Sequence, residues 1–399
     1  MIGKKFPVFF QRKRDKPNER RMTVNEQALI AFFQDLHQHP ELGGEERRTT
    51  QKIRDALTAA GIEVVDPGLG TGLIAIVRGE KPGGRVIGLR ADMDALPVQE
   101  ESGLPYASLE PGKMHACGHD FHTASMLGAA LILEARRAEW AGTVKIVFQP
   151  AEEISDGGER MVKTGLVSDC QEFYAGHTYP AFPAGTLGIK PGPVMAAPDA
   201  FSLRIRGRGT HAGNPHLGVD PIPAAAAFVQ SAQTLISRVK DAFEPAVLSI
   251  THIQAGATWN VVPEEALIEG TLRTLDPDLR AQMHERVPRL ADLIAKAHAC
   301  EADFSWMIGP PPVINDEGLC LEAAKVARSM GLRVERQANT MGGEDFSEYL
   351  KICPGAFIRV GTGGGYTNHH PRFTVDPAAL WPAANYFAEL ALRRACADR

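Results

Sequence analysis

The sequence predicts an α/β protein whose larger domain has a mostly parallel central sheet and carries an inserted, smaller α+β domain. Three observations lead there. First, the apolar runs at 73–77, 86–89 and 144–148 are short, β-branched and continuous, as strands covered on both faces are. Second, a helix predicted over 122–136 lies between the last two runs, and strands alternating with helices of this length build parallel sheets. Third, the texture changes between about 200 and 307. There Phe201-Ser-Leu-Arg-Ile-Arg206 alternates apolar and polar residues with period two, the pattern of a strand with one exposed face.

Taken in order, the chain starts with a basic stretch, MIGKKFPVFFQRKRDKPNERR. Its apolar FPVFF is too short for the core of a signal peptide, so residues 1–22 are expected to form a disordered extension. Met22 is a second candidate start. Thr23-Val-Asn-Glu26 matches a capping box, followed by Leu29, Phe32, Phe33 and Leu36 at helical spacing. A second helix is predicted from about 46 to Gly61, whose glycine supplies the stop. Within the insert, strands are predicted at 247–253 and 266–272, and helices at 222–240 and 277–298. Residues 334–360 return to buried strands and turns. The larger domain is therefore expected over 23–199 and 309–399, with the insert over 200–308.

Composition narrows the function classes. With 399 residues, 44% of them hydrophobic and 23% charged, the chain can bury two cores. A net charge of -5 argues against nucleic acid as a partner, because neutralising phosphates takes a concentrated excess of Lys and Arg. Small molecules fit better. No run of about 18 apolar residues is present, so no helical membrane span is expected. The six cysteines, at 117, 170, 300, 320, 353 and 396, form no CxxC pair or compact framework, which suits a reducing cytoplasm.

The chemistry concentrates after predicted strands, where ligands of open α/β sheets gather. Strand 86–89 runs into Asp92-Met-Asp94 and strand 144–148 into Glu152-Glu153. Between them, His115-Ala-Cys117-Gly-His119-Asp120-Phe-His122 packs a thiol, a carboxylate and three imidazoles into eight residues. Any one of these has a plain structural explanation: a lone Cys is usually a small buried hydrophobe. Together, imidazole, thiolate and carboxylate are the ligand set of zinc and its divalent neighbours. One catalytic ion needs about three protein ligands; the surplus points to two.

The segments HACGHDFH, QPAEE, Gly176-His177-Thr178, GRGTHAGNPHLGVDPI, GGEDFSEY and His369-His370-Pro371 together resemble the M20 family of metallopeptidases and amidohydrolases. The resemblance is to the branch of hippurate hydrolases, N-acyl-amino-acid amidohydrolases and auxin-conjugate hydrolases, and it runs from about His37 to Pro371. It implies a zinc-peptidase-like catalytic domain with an inserted lid domain that pairs subunits into a dimer or tetramer. It implies two divalent ions (zinc, manganese, cobalt or nickel) held by Cys117, His119, Glu153, His177 and His369. It also implies that Glu152 is the general base, taking a proton from water and returning it to the leaving amine of an N-acyl amino acid. His211 is implied to stabilise the oxyanion, and Asn260 and Arg273 to bind substrate, an arginine fork suiting a free carboxylate. A surface ion pair is the rival reading of Arg273. For Asp94, orienting a ligand histidine and capping the turn after the strand stand side by side. His370 occupies a position that is small in this branch, so either imidazole of the pair is a candidate ligand, with His369 preferred. Glu344 and Asp345 are read as shaping the pocket.

Three rival classes compete. A cysteine hydrolase would use Cys117 with a nearby histidine and would survive chelation. A nucleotide-binding oxidoreductase is poorly served by Gly68-Leu-Gly70-Thr-Gly72, which lacks the full glycine fingerprint and its downstream acid. A binding protein that had lost the reaction would not be expected to keep Glu152. Among hydrolases, a carboxypeptidase or dipeptidase is the nearest alternative.

Overall fold

The computed structural model describes residues 9–12 and 22–397. They divide into two compact units, one comprising the described residues up to 192, 314–338 and those from 345 onward, the other 193–313 and 339–344.

The first unit is built on an eight-stranded sheet. Its strands, in spatial order, are Arg333–Glu335, Thr186–Gly188, Gly355–Gly361, Glu172–Tyr179, Lys81–Asp92, Ala141–Gln149, Leu73–Arg78 and Glu63–Val65. The middle of the sheet is parallel: Lys81–Asp92 pairs in parallel with both Ala141–Gln149 and Glu172–Tyr179, and the latter with Gly355–Gly361. Antiparallel pairs join Leu73–Arg78 to Ala141–Gln149 and Glu63–Val65 to Leu73–Arg78. The parallel strands are buried because helices cover them. The helix His119–Ala135 is buried at every residue from His119 to Leu133, and its stretch from Met126 to Leu133 is apolar on all sides, as a fully covered helix is. The core gathers Phe32, Phe33, Leu127, Leu131, Trp140, Tyr386 and Phe387 around it. The second predicted helix spans Arg47–Ala59, and Gly61, at φ 79, takes the left-handed stop for which glycine has no steric penalty.

The start of the chain departs from expectation in two ways. Phe10–Arg12 pairs antiparallel with Met22–Val24, where an unstructured extension was expected over 1–22; the rest of that stretch lies outside the described residues. Phe9 finds a place on the core: it is buried and meets Phe32 edge-on with ring centroids 6.0 Å apart. The capping box is also corrected. Thr23 lies in the strand, and Asn25 caps the helix Glu26–Gln38, its side chain accepting from Gln27 N and Ala28 N.

The second unit is a four-stranded antiparallel sheet in the order Ala246–Ala255, Glu265–Thr274, Ala197–Arg206 and Glu301–Met307. Buried residues alternate with more exposed ones along Ala197–Arg206 and Glu265–Thr274. The buried side forms a core with residues of the helices Pro221–Thr234 and Pro277–Ala297: Phe201, Leu203, Ile268, Phe228, Met283 and Val287. The 222–240 helix is shorter than expected as an α-helix, ending at Thr234 and continuing as a π-helical turn over Leu235–Val239.

Candidate metal centre

The carboxyl ends of the parallel strands converge. Lys81–Asp92 delivers Asp92 and leads on to Asp94, Ala141–Gln149 leads to Glu152 and Glu153, and Glu172–Tyr179 carries His177 near its end. Cys117 and His119 flank Gly118, the N-cap of the His119–Ala135 helix, which lies at φ 85. A Cβ there would come within 2.5 Å of Thr178 Cγ2, so glycine lets the thiol and imidazole approach the histidine strand.

The side chains meet closely. Cys117 Sγ lies 3.5 Å from His177 Nε2. Glu153 Oε1 lies 3.7 Å from His119 Nε2 and 3.5 Å from His369 Nε2. Ligand atoms of Cys117, His119 and His177 lie within 4.8 Å of one another, and so do those of Cys117, Glu153 and His369. The two groups share Cys117. Among the described residues, His119 Nε2 and Glu153 Oε1 are buried without a hydrogen-bond partner, a costly condition unless something else engages them. The opposite nitrogens are taken: His119 Nδ1 bonds Asp94 Oδ1 at 3.2 Å and His177 Nδ1 bonds the Thr178 carbonyl at 3.0 Å. With Nδ1 donating, the hydrogen-bond network assigns the lone pair of each ring to Nε2. Asp94 also accepts from Glu153 N at 2.9 Å, so one carboxylate orients two of the grouped residues. Burial raises the Cys117 thiol above its ordinary range, with Glu153 adding to the effect. Burial likewise lifts Glu153 to about 7, against the pull of His119. A buried thiol and carboxylates want a cation. The donor set therefore fits divalent metal.

Beneath this cluster lies a second one whose atoms are all engaged. His122 donates from Nδ1 to Asp92 Oδ1 at 2.5 Å and accepts from Thr178 N at Nε2, 2.8 Å away. Neither nitrogen is left for an ion. Asp92 Oδ2 pairs with Arg90 at 2.5 Å, and the same guanidinium reaches Asp345 Oδ1 at 2.6 Å and Gln149 Oε1 at 3.0 Å. Burial opposes the charge on Asp92, yet Arg90, His119 and His122 hold it well below the usual carboxylate range. Asp345, read from the sequence as shaping the pocket, is part of this ion network and also accepts from Gly158 N at 2.7 Å. Sequence reasoning passed over Arg90; its signal was a charge directly after the buried apolar run at 86–89.

Asp120 follows His119 in the chain but faces elsewhere. Its Oδ2 lies 2.6 Å from His37 Nδ1, while His37 Nε2 lies 3.2 Å from Glu100 Oε1. Burial disfavours a charged His37, but Asp120 and Glu100 outweigh it and raise its pKa to about 10.

Of the paired histidines, the structure brings His369 to Cys117 and Glu153, at φ 67. His370 instead stacks on Tyr366 with centroids 4.3 Å apart, and its Nδ1 accepts from Arg372 N. Glu152 Oε2 stands 4.0 Å from His119 Nε2. His211, Asn260 and Arg273 belong to the second unit. There Ala212 N donates to the Asn260 carbonyl at 3.0 Å and His211 lies opposite Val261. Arg273 is on a different strand, its Nε donating to Thr271 Oγ1 at 3.0 Å. Among the described residues it makes no salt bridge.

Similar proteins carry the same arrangement of sequence. The family model for peptidase family M20/M25/M40 matches residues 88–393. An N-acetylcysteine deacetylase of Bacillus subtilis (strain 168) is 45% identical over 365 residues, covering 91% of this chain and 96% of the relative. An N-acyl-L-amino acid amidohydrolase of Geobacillus stearothermophilus is 42% identical over 292 residues, covering 73% of this chain and 79% of the relative. Among solved structures, the YXEP protein of Bacillus subtilis, described as a dinuclear metal binding peptidase, superposes with TM-score 0.84 at 42% identity, covering 93% of this chain and 98% of that one. A family model that spans most of the chain and relatives above 40% identity matched over most of their length leave one conclusion: the chain belongs to peptidase family M20/M25/M40.

Proposed function

We propose that this enzyme hydrolyses the amide bond of N-acyl amino acids with the help of two divalent ions. The observation that carries the reading is the pair of ligand groups sharing Cys117, with Glu152 beside them. Cys117, His119 and His177 would hold one ion, and Cys117, Glu153 and His369 the other. When bound, such ions acidify water and polarise a carbonyl oxygen.

The rest falls to this chain's side chains. Glu153 belongs to the second ligand group, and Glu152, whose Oε2 stands 4.0 Å from His119 Nε2, is assigned to moving protons. Glu152 removes a proton from the attacking water and delivers it to the departing amine. His211 stabilises the oxyanion, and Asn260 and Arg273 hold the substrate's free carboxylate. The absence of a salt-bridge partner for Arg273 among the described residues supports that role. The names of the deacetylase and amidohydrolase relatives support the substrate class.

Reconstitution with zinc, manganese, cobalt or nickel, followed by amine release from N-acetyl and N-benzoyl amino acids, identifies the native metal and acyl preference. Glu152→Gln keeps its metal content and loses nearly all turnover; an active variant overturns the mechanism. We assign the protein to the cytoplasm on its six unpaired cysteines. We also assign it a homodimer through the second unit, whose Ala246–Ala255 strand is an exposed sheet edge carrying Val247 and Ile253. Such edges invite pairing. A monomer by light scattering at micromolar concentration removes the dimer from the reading.

A further inference from the structure

Glu46 is fully buried at the N-cap of the helix Arg47–Ala59, yet its side chain makes no capping bond. Glutamate is not among the side chains preferred at that position, so helix propensity does not explain it. Its carboxylate instead reaches across to two other segments. Oε1 accepts from Ala151 N at 2.8 Å and Oε2 from Thr71 Oγ1 at 2.9 Å. Its backbone is held too: Thr50 Oγ1 donates to the Glu46 carbonyl at 2.6 Å, and Gly72 N donates to Thr50 Oγ1 at 2.9 Å. Gly72 in turn lies against the approach to the base, where an added Cβ would come within 2.6 Å of Pro150 Cδ.

Ala151, the residue that Glu46 holds, is buried and sits at φ 58. A non-glycine residue in the left-handed region is unfavourable and persists only where its surroundings enforce it. The turn that follows is tight: Ser155 N bonds the Glu152 carbonyl at 2.7 Å, and Asp156 N and Gly157 N bond the Ala151 carbonyl at 3.2 and 3.1 Å. Glu152 and Glu153 leave the chain directly after Ala151. The direction in which they leave is set by the conformation of Ala151, and a buried carboxylate is the acceptor for its amide.

We infer that Glu46 is a positioning residue, which keeps Ala151 left-handed and thereby aims Glu152 at the attacking water. This rests on the reading of Glu152 as general base. Glu46 touches neither substrate nor metal and acts through the backbone of the 150–153 turn.

The test is steady-state kinetics with N-acetyl amino acids, with metal content and thermal unfolding measured on every variant. Glu46→Ala is expected to lower kcat by about tenfold to a hundredfold, the loss expected for a misplaced catalytic group, with KM and bound metal unchanged. Glu46→Gln keeps an oxygen for Ala151 N and a polar atom for Thr71, so it retains most of kcat. Ala151→Gly in the Glu46→Ala background restores kcat about fivefold, because glycine enters the left-handed region without penalty. A purely structural role would lower thermal stability and leave that double variant no better than Glu46→Ala. Should Glu46→Ala not fold, Glu46→Asp keeps the charge but is one methylene short of the amide, and a similar fall in kcat is expected. Wild-type kcat in a folded Glu46→Ala or Glu46→Asp, or no gain from Ala151→Gly, overturns the inference. If Glu152→Gln is inactive while these variants match wild type, only the role of Glu46 falls; an active Glu152→Gln defeats the base assignment itself.

Discussion

Two clusters of histidines and carboxylates lie next to each other in the first unit, and they differ in how completely their polar atoms are used. Around Cys117, His119 Nε2 and Glu153 Oε1 are buried without hydrogen-bond partners among the described residues. Around Arg90, both nitrogens of His122, both oxygens of Asp92 and the guanidinium are engaged at hydrogen-bonding distance. The residue types are nearly the same. Saturation separates a cluster that supports structure from one that is left open for a ligand, because a buried donor or acceptor with no partner carries its whole desolvation cost.

Substituting one member of each cluster sharpens this contrast. Cys117→Ala removes the residue common to both ligand groups, and kcat/KM is expected to fall by at least about a thousandfold. Unfolding of the metal-free protein in urea should shift by no more than about 1 kcal/mol, as for an ordinary small core change. Arg90→Ala should do the reverse to stability. It strands Asp92 and Asp345, and breaking a buried pair from one side costs about 3–5 kcal/mol. If the two variants destabilise the metal-free protein equally, the distinction between the clusters fails.

A smaller effect concerns His37, another fully engaged histidine, between Asp120 and Glu100. Its pKa rises on folding from 6.5 to about 10, so the folded state binds the proton more tightly. The stabilisation is complete below about pH 6.5 and is lost as pH rises through about 10. It amounts to a few kcal/mol at most. Urea denaturation of metal-free wild type and His37→Gln across pH 6 to 10 measures it: the gap between them should be widest at the acid end and narrow upward. A gap independent of pH sinks the ion triad.

Much of the first unit was legible in the sequence. Continuous apolar runs marked the central strands, period two marked the Ala197–Arg206 strand, and the density of Cys, His and carboxylate residues marked the candidate metal centre. The reading failed where a local motif met a tertiary contact. Thr23 matches a capping box, but it is used in a strand and Asn25 caps the helix. The basic N-terminal stretch reads as unstructured, but Phe9 has an aromatic partner in Phe32. No pattern announced Glu46, whose partners Thr71 and Ala151 lie 25 and 105 residues away.

By itself, the sequence determined which side chains are candidates for metal binding and proton transfer and which strands deliver them, since periodicity and motif spacing are properties of the chain. Tertiary structure alone decided which nitrogen of each histidine is open. His122 and His119 stand three residues apart in one helix and are chemically identical, yet Thr178 N closes the Nε2 of one, while that of the other has no hydrogen-bond partner among the described residues. A histidine binds metal through a lone pair that nothing else uses, and only the fold determines what else can reach it.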